Sequence, residues 1–284
     1  MVAPSGVELA AAKFRVDKLL VERELVESRE QAQRLVMAGF VFANDQRMVK
    51  PAQLVKGDSV LEVRGAACPY VSRGGLKLEG ALDSFSIDLK GLNCLDLGAS
   101  TGGFTDLMLQ RGAQRVTAVD VGKGQLHWKL RQDERVVVLE KTNARYLTRD
   151  QFSGPFDFLT GDLSFIGLHL ILPAAFALSG HGGQAVFLVK PQFEAGRAQV
   201  SRGGVVRDPR VHREVLLRVL GEDYSRFGFA LCGLMASPLK GPAGNIEYLA
   251  HFRNGVVDPE FCFEESVDKA LAKVRSQKVA QGHE

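Results

Sequence analysis

Cysteine is scarce and scattered in this 284-residue chain: Cys68, Cys94, Cys232 and Cys262 include no C-x-x-C pair. That spacing excludes a zinc ribbon or a disulfide framework and reads as reduced, buried thiols in a reducing compartment. Long apolar runs are also missing. The longest, residues 168–178, is interrupted by His169 and Pro173 and falls short of the roughly 20 residues that a membrane-spanning helix needs. No apolar core follows a basic start at the amino terminus. No signal peptide is therefore expected, and the protein reads as cytoplasmic with no membrane partner. There is no internal repeat, and the net charge is only +3.

That small net charge hides an asymmetry. Between residues 13 and 77, twelve Lys/Arg stand against eight Asp/Glu. A basic module on a near-neutral body points to a polyanionic partner, nucleic acid in the first instance.

The chain is organised around Leu95-Asp96-Leu97-Gly98-Ala99-Ser100-Thr101-Gly102-Gly103-Phe104-Thr105. An apolar run ends in a small-residue loop and a helical pattern follows, which predicts strand, tight turn and helix at the opening of a doubly wound α/β domain. The loop lacks the G-x-G-x-x-G order of dinucleotide sites and the lysine of a P-loop. An acidic residue just before the glycines suits S-adenosylmethionine, which carries an ammonium group and no pyrophosphate. Asp96, Gly98, Ala99, Ser100, Thr101, Gly102, Gly103 and Phe104 are the candidate cofactor loop. The next apolar run ends in Asp120, followed by Val121. A carboxylate at that strand tip is placed to accept the ribose hydroxyls of a nucleoside. Asn143, after a third strand at 136–139, is the candidate neighbour of the adenine.

Upstream, residues 1–12 read as a tail. Helical spacing covers 15–26, and Ser28 opens a second helix with Gln31 placed for a capping box and Gly39 as its C-cap. Short strands follow at 40–42, 48–49 and 59–63. Downstream, strands are expected at 156–162, 185–189, 229–235 and 246–252. A buried helix is expected over 168–178, further helices over 209–220 and 264–278, and a long structureless loop over 192–207.

Four charges interrupt or end apolar runs: Lys77 before the first strand of this domain, Asp162 ending the fourth, Lys190 ending the fifth and Glu247 near the seventh. Each is costly unless paired, and ligands in such sheets gather at the carboxyl ends of the strands. A ribose 2′-hydroxyl is a poor nucleophile that needs a base within hydrogen-bond reach. A lysine can be that base only when its pKa falls from about 10 towards neutrality. Asp162 is also a candidate cofactor contact. No metal is required, because the leaving group is a neutral thioether.

These motifs carry a resemblance. R-V-D-K-L-L…S-R-E-Q-A-Q-R-L-V-M-A-G-F-V-F-A-N-D…V-K-G-D-S-V-L-E-V resembles the RNA-binding domain shared by ribosomal protein S4 and several RNA-modifying enzymes. The K-D-K-E order resembles the tetrad of FtsJ-like ribose 2′-O-methyltransferases. With S-R-G-G-L-K-L, T-N-A-R, D-L-S-F-I, V-K-P-Q-F-E and G-P-A-G-N-I-E-Y, nearly the whole chain resembles the TlyA family. The resemblance implies a Rossmann-like class I methyltransferase fold with a seven-stranded, mostly parallel sheet and a small N-terminal α+β RNA-binding domain. It places the domains at 13–64 and 71–284, with a linker at 65–70. It implies S-adenosylmethionine as cofactor and cytidine 2′-O-methylation of ribosomal RNA in the large subunit, with the small subunit as a second target. Lys190 would be the base, and Lys77, Asp162 and Glu247 would position it. Arg15, Lys18, Arg29, Arg34 and Arg47 would grip RNA from the small domain, and Arg73, Lys141, Arg145, Arg197 and Arg202 around the site. Two other readings stay open: a membrane-damaging haemolysin, a label this family carries, and an RNA-binding assembly factor without catalysis. A monomer is the default.

Overall fold

The computed structural model describes residues 13–26, 28–64, 68–255 and 261–280, leaving aside the side chains of Arg34, Ala38 and residues 275–280. The expected tail at 1–12 and residues 65–67 of the expected linker lie outside the described residues. The chain divides into two compact units, Met1–Ser72 and Arg73–Glu284.

In the first unit, β1 (Lys13–Arg15) runs directly into α1 (Val16–Glu22). The expected helix over 15–26 is therefore a strand and a two-turn helix. Its amino end is claimed by pairing: Phe14 lies opposite Val55 of β4 (Leu54–Lys56), a strand too short and too exposed to signal itself. Its carboxyl end stops where the apolar spacing stops. Glu24 turns left-handed, with φ 56°, and the Arg23 guanidinium donates to the carbonyls of Gly57 and Ser59. In α2 (Arg29–Ala38), the Ser28 hydroxyl accepts from the Gln31 N–H at 3.2 Å, and Gly39 caps the other end at φ 78°. These are the favoured cap chemistries. Strands β2 (Val41–Ala43), β3 (Gln46–Arg47) and β5 (Leu61–Val63) form an antiparallel sheet in the order β3-β2-β5. Val16, Leu19, Leu20, Ala32, Val36 and Val41 fill the core between helices and strands.

The second unit opens with α3 (Gly74–Ser84) and continues β6 (Asn93–Leu97), α4 (Gly103–Gln110), β7 (Arg115–Val119), α5 (Trp128–Arg131), β8 (Val136–Leu139), β9 (Phe156–Gly161) and α6 (Leu172–Ala177). Then come β10 (Ser179–Val189), α7 (Pro191–Glu194), α8 (Pro209–Leu220), β11 (Phe229–Ala236), β12 (Tyr248–Asn254) and α9 (Phe263–Ala280). The seven strands form one sheet in the order β11-β12-β10-β9-β6-β7-β8. The run from β10 to β8 is parallel, and β12 is antiparallel to both of its neighbours. The order reverses at β6, the switch point where such sheets open a crevice for ligand. The central strands read as continuous apolar runs because both faces are covered: Leu95, Leu97, Leu159, Phe187 and Val189 are all buried. Phe176 of α6 stacks on Phe229, with ring centroids 4.0 Å apart, and meets Phe187 and Phe252 edge to face.

Three further expectations are corrected by the fold. The helix over 168–178 is a 3-10 turn (Leu168–Leu170) followed by α6, since Pro173 is tolerated only in a first turn. The loop over 192–207 is not structureless: it holds most of α7, a 3-10 turn at Arg197–Gln199 and a bridge between Ser201 and Val205. Of the four cysteines only Cys94 is buried; Cys68 and Cys232 are half-buried and Cys262 is exposed.

Candidate active site

The carboxyl ends of the parallel strands gather the polar groups. β6 ends at Leu97 and the chain turns at Gly98, whose φ is 78°. A Cβ there would lie 3.0 Å from the Asp162 carbonyl oxygen, so only glycine lets these two strand ends approach. Gly102 also needs a left-handed φ, 94°, and leads into α4. Gly103 and Phe104 form the first turn of α4, and the Phe104 ring is buried in the core. The loop therefore presents backbone more than side chain, although Ser100 and Thr101 are exposed.

Asp96 lies beneath this loop, 1% exposed. Its Oδ2 accepts from the Thr105 hydroxyl at 2.7 Å, while its Oδ1 is buried without a partner among the described residues. Burial pushes its carboxyl up to about 7, against the opposing pull of Thr105. An orphaned buried acceptor next to a glycine turn fits a cationic ligand group. At the tip of β7, Asp120 accepts from the N–H of Ser100 at 2.8 Å and of Gly122 at 2.7 Å. This fixes its carboxylate and leaves lone pairs for hydroxyl donors. Val121 beside it is exposed. After β8, Asn143 is exposed and its Oδ1 accepts from the Arg145 N–H at 3.0 Å.

The four charges converge although they are far apart in sequence. Asp162 follows β9 and Lys190 follows β10. Glu247 precedes β12, which runs the other way, so its start lies beside the end of β10, where Val189 pairs with Tyr248. Lys77 reaches in from α3. Lys77 Nζ donates to Glu247 Oε2 at 2.6 Å and to Asp162 Oδ2 at 3.3 Å, and Lys190 Nζ pairs with Asp162 Oδ1. Burial pulls Lys77 down, but Asp162 and Glu247 together hold it above the ordinary lysine value. Burial likewise raises Asp162, yet the two lysines win and keep it below the ordinary carboxylate range.

The spacing of charges in the sequence does not disclose the groups that extend this chain. Ser164 Oγ accepts from Lys190 Nζ at 3.1 Å, and Gln192 Nε2 donates to Glu247 Oε1 at 3.1 Å. Glu194 Oε1 accepts from the Leu168 N–H at 2.6 Å, tying α7 to the segment after β9. Phe165 in that segment is 89% exposed with φ 63°, its ring 4.9 Å from that of Phe193. A left-handed aromatic residue facing solvent is strained backbone, a common mark of functional loops. The motifs D-L-S-F-I and V-K-P-Q-F-E hold Ser164, Phe165, Lys190, Gln192, Phe193 and Glu194, but only the fold shows which atoms meet.

The expected RNA-binding residues fall into two groups. In the second unit Lys141, Arg145, Arg197 and Arg202 are exposed and Arg73 is half-buried. Lys141 and Arg145 follow β8, and the Arg145 guanidinium lies over the Tyr146 ring at 5.7 Å. In the first unit Lys18 and Arg47 are exposed, while Arg15 and Arg29 both pair with Asp17.

Comparison with known proteins gives two family matches: an FtsJ-like methyltransferase over residues 70–254 and an S4 domain over 14–61. The chain is 48% identical over 244 residues to the 16S/23S rRNA (cytidine-2′-O)-methyltransferase TlyA of Mycobacterium tuberculosis, covering 86% of this chain and 91% of that one. It is 41% identical over 240 residues to Hemolysin A of Brachyspira hyodysenteriae, covering 84% and 99%. A solved hemolysin structure from Streptococcus thermophilus superposes with a TM-score of 0.72 at 45% identity, over 95% of this chain and 99% of that one.

Proposed function

The chain belongs to the FtsJ-like methyltransferase family, in its TlyA branch, and from that membership we propose that it 2′-O-methylates cytidine in ribosomal RNA. S-adenosylmethionine is the cofactor. It supplies a methyl group on a sulfonium, which leaves as a neutral thioether. Asp96 Oδ1 would accept its ammonium, the loop from Gly98 to Gly103 would line its backbone-facing side, and Asp120 would accept its ribose hydroxyls.

One observation carries the reading of the chemistry: the continuous ion-pair chain Glu247–Lys77–Asp162–Lys190 at the strand ends. Lys190 Nζ, as the free amine after its ammonium proton has passed to solvent, would accept the proton of the 2′-hydroxyl, leaving that oxygen to take the methyl group the cofactor would supply. Asp162 aims that nitrogen. Lys77, kept cationic by two carboxylates, holds Asp162 from its other oxygen. Attack in line with the breaking bond requires such fixed aim, because misalignment is costly in rate. The exposed Phe165 ring offers a stacking face for an unstacked base. The set is complete within one chain, which supports a monomer as the acting species, and ribosomal RNA as the substrate supports a cytoplasmic location. Large-subunit RNA is the first target and small-subunit RNA the second. Among the described residues no helix is long and apolar enough to cross a membrane.

The test is transfer of labelled methyl from S-adenosylmethionine to purified, unmodified small and large subunits, with Lys190→Ala in parallel. The expected result is label in an alkali-resistant dinucleotide that vanishes in the variant. No label in either subunit despite cofactor binding would overturn the assignment in favour of a non-catalytic assembly factor.

A further inference from the structure

Gln192 closes the ion-pair chain into a ring. Its Nε2 donates to Glu247 Oε1 at 3.1 Å. Glu247 pairs with Lys77, Lys77 with Asp162 and Asp162 with Lys190, which lies two residues before Gln192 in the chain. The contact also fixes which way the amide faces. A carboxylate held by a lysine ammonium only accepts, so the NH2 end of Gln192 points at Glu247 and the carbonyl end elsewhere. That carbonyl oxygen, Oε1, is buried and has no hydrogen-bond partner among the described residues. A buried acceptor is costly until a donor reaches it, so an orphan at a binding site marks the place of a ligand's donor.

Gln192 lies between groups suited to the two ends of a nucleotide. On the sugar side stand Lys190 and Glu247. On the base side Phe193 follows directly, its ring 4.9 Å from the exposed Phe165 ring and 5.7 Å from Lys190 Nζ. A target nucleotide with its 2′-hydroxyl at Lys190 and its base against Phe165 brings the edge of that base to the residue between them. An acceptor at that edge tells the two pyrimidines apart. Cytosine carries an exocyclic N4 amine, a donor, where uracil carries the O4 carbonyl, an acceptor. Oxygen against oxygen leaves both desolvated and unpaired, and a site built around a polar contact rejects the analogue that lacks it.

We propose that Gln192 is a specificity-determining residue: its Oε1 accepts from the N4 amine of the target cytosine and so selects cytidine over uridine. Glu247 sets the direction of the amide, so one carboxylate steadies both Lys77 and the group that reads the base. The inference rests on the ribose-methylation reading above and deepens it, since transfer to a ribose hydroxyl does not by itself distinguish one base from another.

The experiment uses the full chain and purified ribosomal subunits whose methylated position, once mapped, carries either cytidine or uridine. The kcat/KM for methyl transfer is measured on both, with the unaltered protein and with Gln192→Met, which keeps the length of the side chain and removes the amide. The unaltered protein is expected to prefer cytidine at least about tenfold. Gln192→Met should bring that ratio close to one. Loss of the contact to Glu247 alone slows transfer to both RNAs alike and leaves the ratio intact, so the ratio isolates the base contact. Comparing both proteins on the same two RNAs also cancels any effect of the base change on RNA folding. The dissociation constant for S-adenosylmethionine, by equilibrium dialysis, should not move. Should Gln192→Met fail to fold, as judged by circular dichroism, Gln192→Ala gives the same comparison. Equal slowing on both RNAs, weakened cofactor binding, or no preference by the unaltered protein would overturn the proposal. Absence of any transfer by the unaltered protein would instead overturn the reading on which it rests.

Discussion

Lys77 and Lys190 are held by the two oxygens of one carboxylate: Asp162 Oδ2 lies 3.3 Å from Lys77 Nζ, and Oδ1 pairs with Lys190 Nζ. Two buried ammonium groups this close would repel each other unless a negative charge lay between them. Asp162 supplies that charge, and Glu247 balances Lys77 from the far side. The roles differ accordingly. Lys77 is saturated by carboxylates, whereas Lys190 has one carboxylate and the hydroxyl of Ser164.

Asp162→Asn removes the shared anion while keeping the shape. It should lower single-turnover methyl transfer at least about 100-fold, the usual scale for losing a positioned acid–base group. Lys190→Ala should do the same. Because both disable one device, the double variant should be no slower than the worse single one. Rapid-quench methyl transfer on the three variants measures this. Losses that multiply would show that the two residues act independently.

Gly241 faces the Glu247 carboxylate so closely that a Cβ there would lie 2.6 Å from Oε1. Gly241→Ala should push Glu247 off Lys77 and slow methyl transfer about tenfold or more, with overpacking costing about 1–3 kcal/mol of stability. Cofactor affinity should stay as it is, since Asp96 and the glycine loop are elsewhere. Equilibrium dialysis with labelled cofactor, beside the transfer assay, separates the two effects. Parallel loss of affinity and rate would mean a general collapse of the strand ends.

Much of the second unit is legible in the sequence because buried parallel strands read as apolar runs, and four of the five, β7 to β10, run into a charge that has to be explained. The seven strands and the bearing of Asp162, Lys190 and Glu247 on one edge follow from that pattern and from the sheet order. The first turn of α1 is less legible. Val16, Leu19 and Leu20 give helical spacing, but nothing local shows that Arg15 belongs to a strand paired with residues 54–56. Asp17 gives no signal for a related reason: an acid in a first helical turn looks solvated, and only the approach of α2 buries it under Arg29 and Gln33. Ser164 and Gln192 lie inside recognisable motifs, yet a contact between segments far apart in sequence leaves no trace in spacing.

Lys141 and Arg145 are exposed and follow the edge strand β8, three places from β9 in the sheet order. The double variant Lys141→Ala/Arg145→Ala should raise the KM for RNA about tenfold or more at moderate salt, because phosphate contacts set affinity and register. Its cofactor dissociation constant should not move. Steady-state methylation at two salt concentrations checks this, and an unchanged KM at both would remove these residues from the RNA face.

As the proposed partner of the cofactor ammonium, Asp96 would tie that site to pH. Its carboxyl is pushed up to about 7 by burial, whereas in the unfolded chain it titrates at about 3.9. Between those values the folded protein keeps a proton that the unfolded one has shed. Its contribution to stability therefore falls as pH rises through that interval, with the loss complete above about 7 and absent below about 4. Asp96→Asn removes the cost while retaining an acceptor for Thr105. It should raise the thermal midpoint at pH 8 by about 2–4 °C per kcal/mol regained and leave it unchanged near pH 4. The same variant should bind S-adenosylmethionine at least about tenfold more weakly, since the ammonium loses its anionic partner. In the unaltered protein, cofactor binding near pH 6 should release a proton from Asp96, because a cation at Oδ1 favours the ionised form. Calorimetry in two buffers of different ionisation enthalpy reads that proton directly. No release, together with unweakened binding by Asp96→Asn, would detach this carboxylate from the cofactor and leave it a purely structural acid hydrogen-bonded to Thr105.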